Sequence, residues 1–176
     1  MSIIQNVPEI KEYELRQAIF AAGCFWGVEY IFSKVDGVVS VVSGYTGGHR
    51  SEPVYEDVCS GWTGHAEAVL IVYNPSIVTY EELVRLFFKM HNPTTLNRQG
   101  PDSGEQYRSE IFYKTDKERE IAQSIKDQFD SMNSFDKHSV TTITRAGIFY
   151  RAEEYHQRYY YKKNKTPYCH FLRNSF

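Results

Sequence analysis

LRQAIFAAGCFWGVEYIFSKVDG, residues 15–37, is the segment from which the architecture is predicted. Residues 15–22 are short, become more apolar along their length and end at Gly23, which predicts a β-strand entering a turn. From Cys24 onward, apolar residues recur at helical spacing as far as Val35, and the Asp36-Gly37 pair ends the pattern. The segment therefore predicts a strand, a turn and a helix, with Cys24 at or just before the first helical residue.

The rest of the chain predicts further strands and helices. Residues 38–42 are typical of a fully buried strand, residues 66–73 of another, and residues 110–113 and 140–145 of two later ones. Two helices begin with capping-box pairs, formed by Thr79 with Glu82 and by Thr115 with Glu118. The second of these helices is expected to bury Met132, and residues 153–161 predict a final tyrosine-rich helix.

This order of elements predicts an α+β fold. Strands and helices alternate as β-α-β-β-α-β through residue 113, which matches a ferredoxin-like split βαβ core with added helices and long loops. A chain of 176 residues with 41% apolar and 24% charged residues is typical of one globular domain, residues 1–176.

Charge and patterning exclude several classes of partner. The net charge of -2 gives no electrostatic reason to expect nucleic acid or an anionic membrane as partner. The first residues lack the basic and apolar regions of a secretory signal, and no apolar run is long enough to cross a bilayer. We therefore expect a cytoplasmic protein.

The three cysteines, at positions 24, 59 and 169, are the candidates for reactivity. Their odd number and wide spacing argue against a structural disulfide framework. No C-x-x-C or H-x-x-H spacing occurs, so no metal site is expected. Cys59 is expected at the end of a strand in a structural role.

Cys24 is the candidate nucleophile. Unpaired backbone N–H groups at a helix start stabilise an anion, so we expect a lowered thiol pKa. The flanking Gly23 and Gly27 would let the backbone turn sharply. Phe25 and Trp26 cannot both face the core, so one or both could wall an apolar pocket beside the sulfur. The residues alone leave open that Cys24 is an unreactive buried thiol.

Several other side chains could assist such a thiol. Glu67 shares a strand face with apolar residues, so its pKa should rise until it can act as an acid, although an ordinary surface glutamate fits the pattern too. Tyr55 and Tyr107 lie on long loops and could polarise an oxygen as neutral donors, and Asp102 near them could equally be a turn residue. Cys169 could reach Cys24 if the C-terminal tail is mobile, or be a bystander.

Six motifs occur in order over about residues 18–170: GCFWG (23–27), GYTGG (44–48), GHAEAV (64–69), HNPTTLNRQG (91–100), QYRS (106–109) and EYHQ (154–157). Together they resemble the A class of peptide methionine sulfoxide reductases, which reduce the S epimer of methionine sulfoxide. Two other possibilities remain, a cysteine acyl transferase or hydrolase with His65 or His156 as base, and a binding module without catalysis.

The resemblance implies a role for each site residue. It makes Cys24 the nucleophile and Glu67 the proton donor, helped by Tyr55 and Tyr107. It also implies substrate binding by Phe25, Trp26 and Asp102. Cys169 would be the resolving cysteine, carried by a tail of about residues 162–176 in a single catalytic domain, and a thioredoxin-like protein would reopen the Cys24–Cys169 disulfide. No metal or organic cofactor is implied. Pro167 stands where a glycine is usual, so the tail should be stiffer than in relatives.

Overall fold

The computed structural model describes residues 14–174, and the ends of the expected domain, residues 1–13 and 175–176, lie outside the described residues. The strands are β1 (Arg16–Ala22), β2 (Val38–Thr46), β3 (Ala66–Tyr73), β4 (Arg98–Gln99), β5 (Asp102–Ser103), β6 (Ser109–Tyr113), β7 (Thr142–Arg145) and β8 (Tyr150–Arg151). The helices are α1 (Phe25–Phe32), α2 (Tyr55–Cys59), α3 (Tyr80–Met90), α4 (Asp116–Ser131) and α5 (Tyr159–Lys163), with 3-10 turns at Glu105–Tyr107 and Glu154–His156.

One mixed sheet of six strands carries the fold, in the order β7-β6-β1-β3-β2-β8. The pairs β6–β1, β1–β3, β3–β2 and β2–β8 are antiparallel, and only β6–β7 is parallel among the pairs of this sheet. The predicted α+β class is confirmed. No helix within residues 14–174 is long and apolar enough to cross a membrane.

The two faces of the sheet are covered differently. On β1, Phe20 and its even-numbered neighbours belong to the main core, which also holds the buried side chains of α1, α3 and α4. The odd-numbered Ile19 and Ala21 point to the opposite face, where Phe112 and the segment around Phe149 form a smaller cluster. This alternation follows from the two-residue period of a strand. The strand β1 ends at Ala22, and Cys24 follows two residues later, directly before α1.

The start of β2 is not the fully buried strand that its β-branched residues predicted. Val39 is 60% exposed, whereas Ser43 to Thr46 are buried. The reason is the position of β2 near the edge of the sheet: the short β8 pairs only with Gly44 and Tyr45, so the first half of β2 has a neighbour on one side only. The correct part of the prediction is that a strand begins at Val38.

The helix starts were predicted better than the helix ends. Thr79 and Glu82 form the complete capping box of α3, but at α4 the Glu118 carboxylate accepts the N–H of Lys114 instead of Thr115. Met132 is 47% exposed because α4 ends one residue before it. The predicted helix over residues 153–161 is wrong in its middle, where Arg158 adopts a left-handed conformation (φ 52°) between a 3-10 turn and α5.

Candidate active site

The turn between β1 and α1 places Cys24 at the mouth of the site. Gly23 has φ 89°, a conformation that side chains other than glycine rarely adopt, and a Cβ there would lie 2.7 Å from the Gln99 side chain. Cys24 follows as the N-cap residue of α1, and the helix begins at Phe25. The expected strand–turn–helix arrangement around Cys24 is confirmed.

Cys24 is a neutral thiol in this environment. Burial raises the pKa of the thiol well above its ordinary value, and the negative charge of Glu67 raises it further. The backbone N–H of Trp26 hydrogen-bonds the sulfur and lowers the pKa, but by less. The expectation that the helix start keeps Cys24 ionised is therefore wrong for the free protein, since desolvation outweighs the N–H group.

Glu67 lies in the interior next to this turn. Its side chain is 2% exposed, and its Oε2 accepts the backbone N–H of Phe25 at 3.0 Å. Burial raises the pKa of the carboxyl from 4.5 to about 8; the Phe25 N–H opposes the rise and the charge of Asp102 adds to it. The expected rise is confirmed, and the alternative of a surface glutamate is wrong. At pH 7 most of the Glu67 side chains carry a proton.

The phenols and Asp102 gather around Glu67. Tyr55 begins α2, Tyr107 ends a 3-10 turn, and Asp102 lies in β5. Burial raises the pKa of both phenols, and the charge of Glu67 raises it further, so both remain hydrogen-bond donors at any ordinary pH. The charge of Asp102 raises the pKa of Tyr107 as well. The three residues therefore come together although they lie on separate segments of the chain.

The two aromatic residues after Cys24 face different surroundings. Phe25 is 1% exposed and packs in the main core. Trp26 is half-buried; its ring stacks on Tyr159 at 3.7 Å between centroids, and its Nε1 donates to His156 Nδ1 at 3.0 Å. Trp26 is thus the aromatic residue that offers surface beside Cys24, and its ring is held from two sides.

Sequence reasoning missed Glu29, a buried carboxylate that fixes the segment before Tyr159, on which the Trp26 ring stacks. Glu29 is 2% exposed, and its oxygens accept the backbone N–H of Arg158 at 2.9 and 3.0 Å and the Ser43 hydroxyl at 3.3 Å. Gln157 adds three hydrogen bonds, to both backbone groups of Ser43 and to the carbonyl of Ala152. The signal for Glu29 was available, because it falls on the inward face of α1 beside Val28 and Phe32.

The C-terminal tail is docked. Cys169 is 8% exposed and its Sγ donates to Asp102 Oδ2 at 3.6 Å, while burial raises the pKa of its thiol to about 11. His170 Nε2 donates to the Ala22 carbonyl, and the Arg173 guanidinium donates to the carbonyls of Phe88 and His91 at the end of α3. Up to residue 174 the tail thus lies against β1 and α3, and the Cys169 thiol is buried rather than exposed to solvent.

The remaining candidates do not join the site as expected. Cys59 is exposed at the end of α2 rather than at the end of a strand. Both ring nitrogens of His65 hydrogen-bond backbone groups, of Gly48 and Arg50, and His156 is occupied by Trp26. Neither histidine is thus available as a base for Cys24, as the acyl transferase alternative would need. All three cysteines are free, and within residues 14–174 no three acidic, histidine or cysteine side chains form a possible metal site.

Comparison with known proteins agrees with this geometry. The family model for peptide methionine sulfoxide reductase matches residues 16–176. The peptide methionine sulfoxide reductase MsrA of Methanothermobacter thermautotrophicus is 52% identical over 164 residues, which are 93% of this chain and 95% of that protein. The crystal structure of Mxr1 from Saccharomyces cerevisiae in reduced form aligns with a TM-score of 0.84 at 37% identity, over 91% of this chain and 93% of that one. Mxr1 in complex with Trx2 aligns with a TM-score of 0.63 at 27% identity, over 98% and 100% of the two chains.

Proposed function

Because the chain belongs to the peptide methionine sulfoxide reductase family, we propose that it reduces the S epimer of methionine sulfoxide, free or in proteins, to methionine. The observation that carries the proposal is the neutral carboxyl of Glu67, held by the Phe25 N–H beside the turn of Cys24. It supplies an acid next to a nucleophile, which is what a sulfoxide needs. The activity is an oxidoreductase reaction that repairs proteins after oxidative stress.

In the first step the Cys24 sulfur attacks the sulfur of the substrate. Glu67 gives its proton to the sulfoxide oxygen and takes the thiol proton in return, so the carboxyl ends the step neutral. The hydroxyl oxygen then migrates from the substrate sulfur to the Cys24 sulfur: the S–O bond of the substrate and the new S–S bond break, and a bond between the Cys24 sulfur and the oxygen forms. One thiol and one sulfoxide thus become one sulfenic acid and one thioether, with no other oxidant or reductant consumed.

The surrounding side chains hold the substrate. The half-buried Trp26 ring forms one wall for the methyl group, and Phe25 packs against His156, which accepts the hydrogen bond of that ring. Tyr55 and Tyr107 donate hydrogen bonds to the sulfoxide oxygen, which the high pKa of both phenols permits. Asp102 binds the substrate with the carboxylate that accepts the Cys169 thiol in the free protein.

The second step resolves the sulfenic acid. The Cys169 thiol attacks the Cys24 sulfenic acid, a disulfide forms and water leaves. A thioredoxin-like dithiol then reduces the disulfide by exchange and becomes a disulfide itself. The solved complex of Mxr1 with Trx2 supports this partner. The electrons pass between sulfur atoms throughout, so no metal or organic cofactor takes part.

The finer points of the fold and setting belong to the same proposal. The central order β6-β1-β3-β2 with antiparallel neighbours supports a ferredoxin-like split βαβ core. We assign residues 1–176 to a single catalytic domain, with the tail of about residues 162–176 carrying the resolving cysteine. The three free thiols support a cytoplasmic setting, where thiols are kept reduced.

Counting thiols tests the proposal. The reduced protein is mixed with one equivalent of a peptide that carries the S-sulfoxide, without reductant, and methionine and free thiols are measured. We expect one methionine formed and two thiols lost in the wild type. Cys24→Ser should form no methionine, and Cys169→Ser should form one methionine but fail to turn over with thioredoxin. Formation of methionine by Cys24→Ser would overturn the assignment of the nucleophile, and full recycling by Cys169→Ser that of the resolving cysteine.

A further inference from the structure

His170 connects the resolving cysteine to the strand that leads to Cys24. It follows Cys169 directly and is 4% exposed. Its Nε2 donates to the carbonyl of Ala22, the last residue of β1, at 2.6 Å. The other ring nitrogen, Nδ1, is buried and has no hydrogen-bond partner among residues 14–174, so within this part of the chain the imidazole is held by one hydrogen bond and by its fit among the surrounding atoms.

That fit depends on Gly27. A Cβ at residue 27 would lie 2.2 Å from His170 Nδ1 and 3.0 Å from Cε1, far inside van der Waals contact. Gly27 lies within the helix α1, so its backbone needs no glycine for its own conformation. The absence of a side chain at this position instead makes room for the imidazole ring. Gly27 therefore does not serve the sharp turn expected from the sequence, which Gly23 alone provides.

We propose that His170 is a positioning residue for the resolving step: its ring docks into the space above Gly27 and so holds Cys169 beside the turn that carries Cys24. This inference rests on the proposed function. His170 exchanges no atom in the step, in which the Cys169 thiol and the Cys24 sulfenic acid form a disulfide and water. Its effect is to raise the effective concentration of one thiol at the other.

The surroundings of both sulfur atoms support this role. Asp102 is common to the surroundings of both thiols, because its charge acts on Cys24 and its carboxylate lies within hydrogen-bond distance of Cys169. The hydrogen bond from Cys169 to Asp102 gives the thiol a second contact on the site side. Arg173 fastens the tail three residues further on, at the end of α3, whereas the hydrogen bond of His170 joins the tail to the end of β1, directly before the turn.

A single-turnover experiment separates the two steps. Reduced protein is mixed with the S-sulfoxide peptide and quenched at intervals; methionine reports the first step, loss of the second thiol reports the resolving step, and a dione reagent traps sulfenic acid. For His170→Ala we expect methionine formation within about threefold of the wild type and disulfide formation slowed at least about tenfold, with sulfenic acid accumulating. The matched control is Phe171→Ala, the next residue along the tail, whose ring is 69% exposed and which should leave both rates unchanged.

A double-mutant cycle distinguishes docking from general destabilisation. Gly27→Ala should slow disulfide formation about as much as His170→Ala, because the new methyl group expels the ring. In the His170→Ala background the same methyl group enters vacated space and should have no further effect. Unchanged disulfide formation in His170→Ala, or equal slowing by Gly27→Ala in both backgrounds, would overturn the inference. Absence of methionine in the wild type would instead overturn the proposed function.

Discussion

Replacing Glu67 by glutamine exchanges the acidic hydroxyl for an amide that does not release a proton, and it keeps nearly the same size and shape. The amide oxygen can still accept the Phe25 N–H that Glu67 now accepts at 3.0 Å, so the turn of Cys24 should stay in place. The amide can donate a hydrogen bond to the sulfoxide oxygen but cannot transfer a proton. We therefore expect the reduction step of Glu67→Gln to be at least about tenfold slower at pH 7.

The pH profile gives a sharper form of the same prediction. With a pKa of about 8, about nine-tenths of the Glu67 carboxyls are protonated at pH 7 and about one-tenth at pH 9. The proposed step needs protons on both Glu67 and Cys24, and the thiol keeps its proton across this range because its pKa is raised well above it. The rate of the wild type should fall roughly tenfold between pH 7 and pH 9, whereas the slower rate of Glu67→Gln should stay level.

The substitution Glu67→Gln should raise the stability of the protein at pH 7 although it lowers the activity. The folded-state pKa of Glu67 is raised, so its contribution to stability is fully present below the unfolded value of 4.5 and is lost as pH rises through about 8. At pH 7 the loss corresponds to about 3 kcal/mol of unfolding free energy. Glu67→Gln should therefore be more stable than the wild type at pH 7, by up to that amount, and about equal to it at pH 4.

Two measurements check these expectations. Rapid-quench single turnovers with the S-sulfoxide peptide give the rate of methionine formation at each pH, and urea unfolding at pH 4 and pH 7 gives the stabilities. A reaction that required the Cys24 thiolate together with protonated Glu67 would become faster up to about pH 8, because more thiolate forms. Above that pH it would stay level, because the loss of protonated Glu67 offsets the gain in thiolate. Such a profile in the wild type would refute the two-proton step, and a rate of Glu67→Gln equal to that of the wild type would remove Glu67 from the reaction.

Three further substitutions test the residues around the pair. Trp26→Ala removes the ring that stacks on Tyr159 and should raise KM for the S-sulfoxide peptide at least about tenfold, measured in steady state with thioredoxin; an unchanged KM would exclude Trp26 as a pocket wall. Tyr107→Phe loses one donor to the sulfoxide oxygen and should slow single-turnover methionine formation by about tenfold or more, and an equal rate would contradict that contact. Glu29→Ala leaves the Arg158 N–H without its buried acceptor and should lower the free energy of unfolding by about 1–3 kcal/mol in urea titrations, where no loss would show that water replaces the carboxylate.

Elements with a strong local signal were predictable from the sequence. The strand–turn–helix around Cys24 and the capping box of Thr79 follow from contacts within a few residues, and both were predicted correctly. The exposed start of β2 was not predictable, because Val39 is exposed through the absence of a neighbouring strand and not through its own residue type. The break at Arg158 has the same kind of cause, since its N–H turns towards Glu29, 129 residues earlier in the chain.

In the candidate site, the raised pKa of Glu67 was predictable from the sequence, but the raised pKa of Cys24 was not. The strand face shared with Val69 and Ile71 already indicated that Glu67 is desolvated, and burial gives that result. Burial also raises the pKa of Cys24. The sequence indicated only the start of the helix, whose N–H group lowers that pKa. His170 carries no local signal at all, because its partners, Ala22 and Gly27, are more than 140 positions away and its role depends on a missing Cβ.

The raised pKa values of Cys24 and Glu67 bear on how the site avoids oxidation without substrate. Peroxide and similar oxidants attack thiolates far faster than thiols, so a sulfur kept protonated mainly by burial is protected. A sulfoxide differs from these oxidants in that its oxygen can accept a proton from Glu67 as the sulfur attacks. Cys24 therefore reacts only when a sulfoxide is bound, because the sulfoxide oxygen provides the acceptor for the Glu67 proton. The low intrinsic reactivity of Cys24 is thus compatible with catalysis, because the proton of Glu67 activates the sulfoxide, whereas other oxidants meet a protonated thiol.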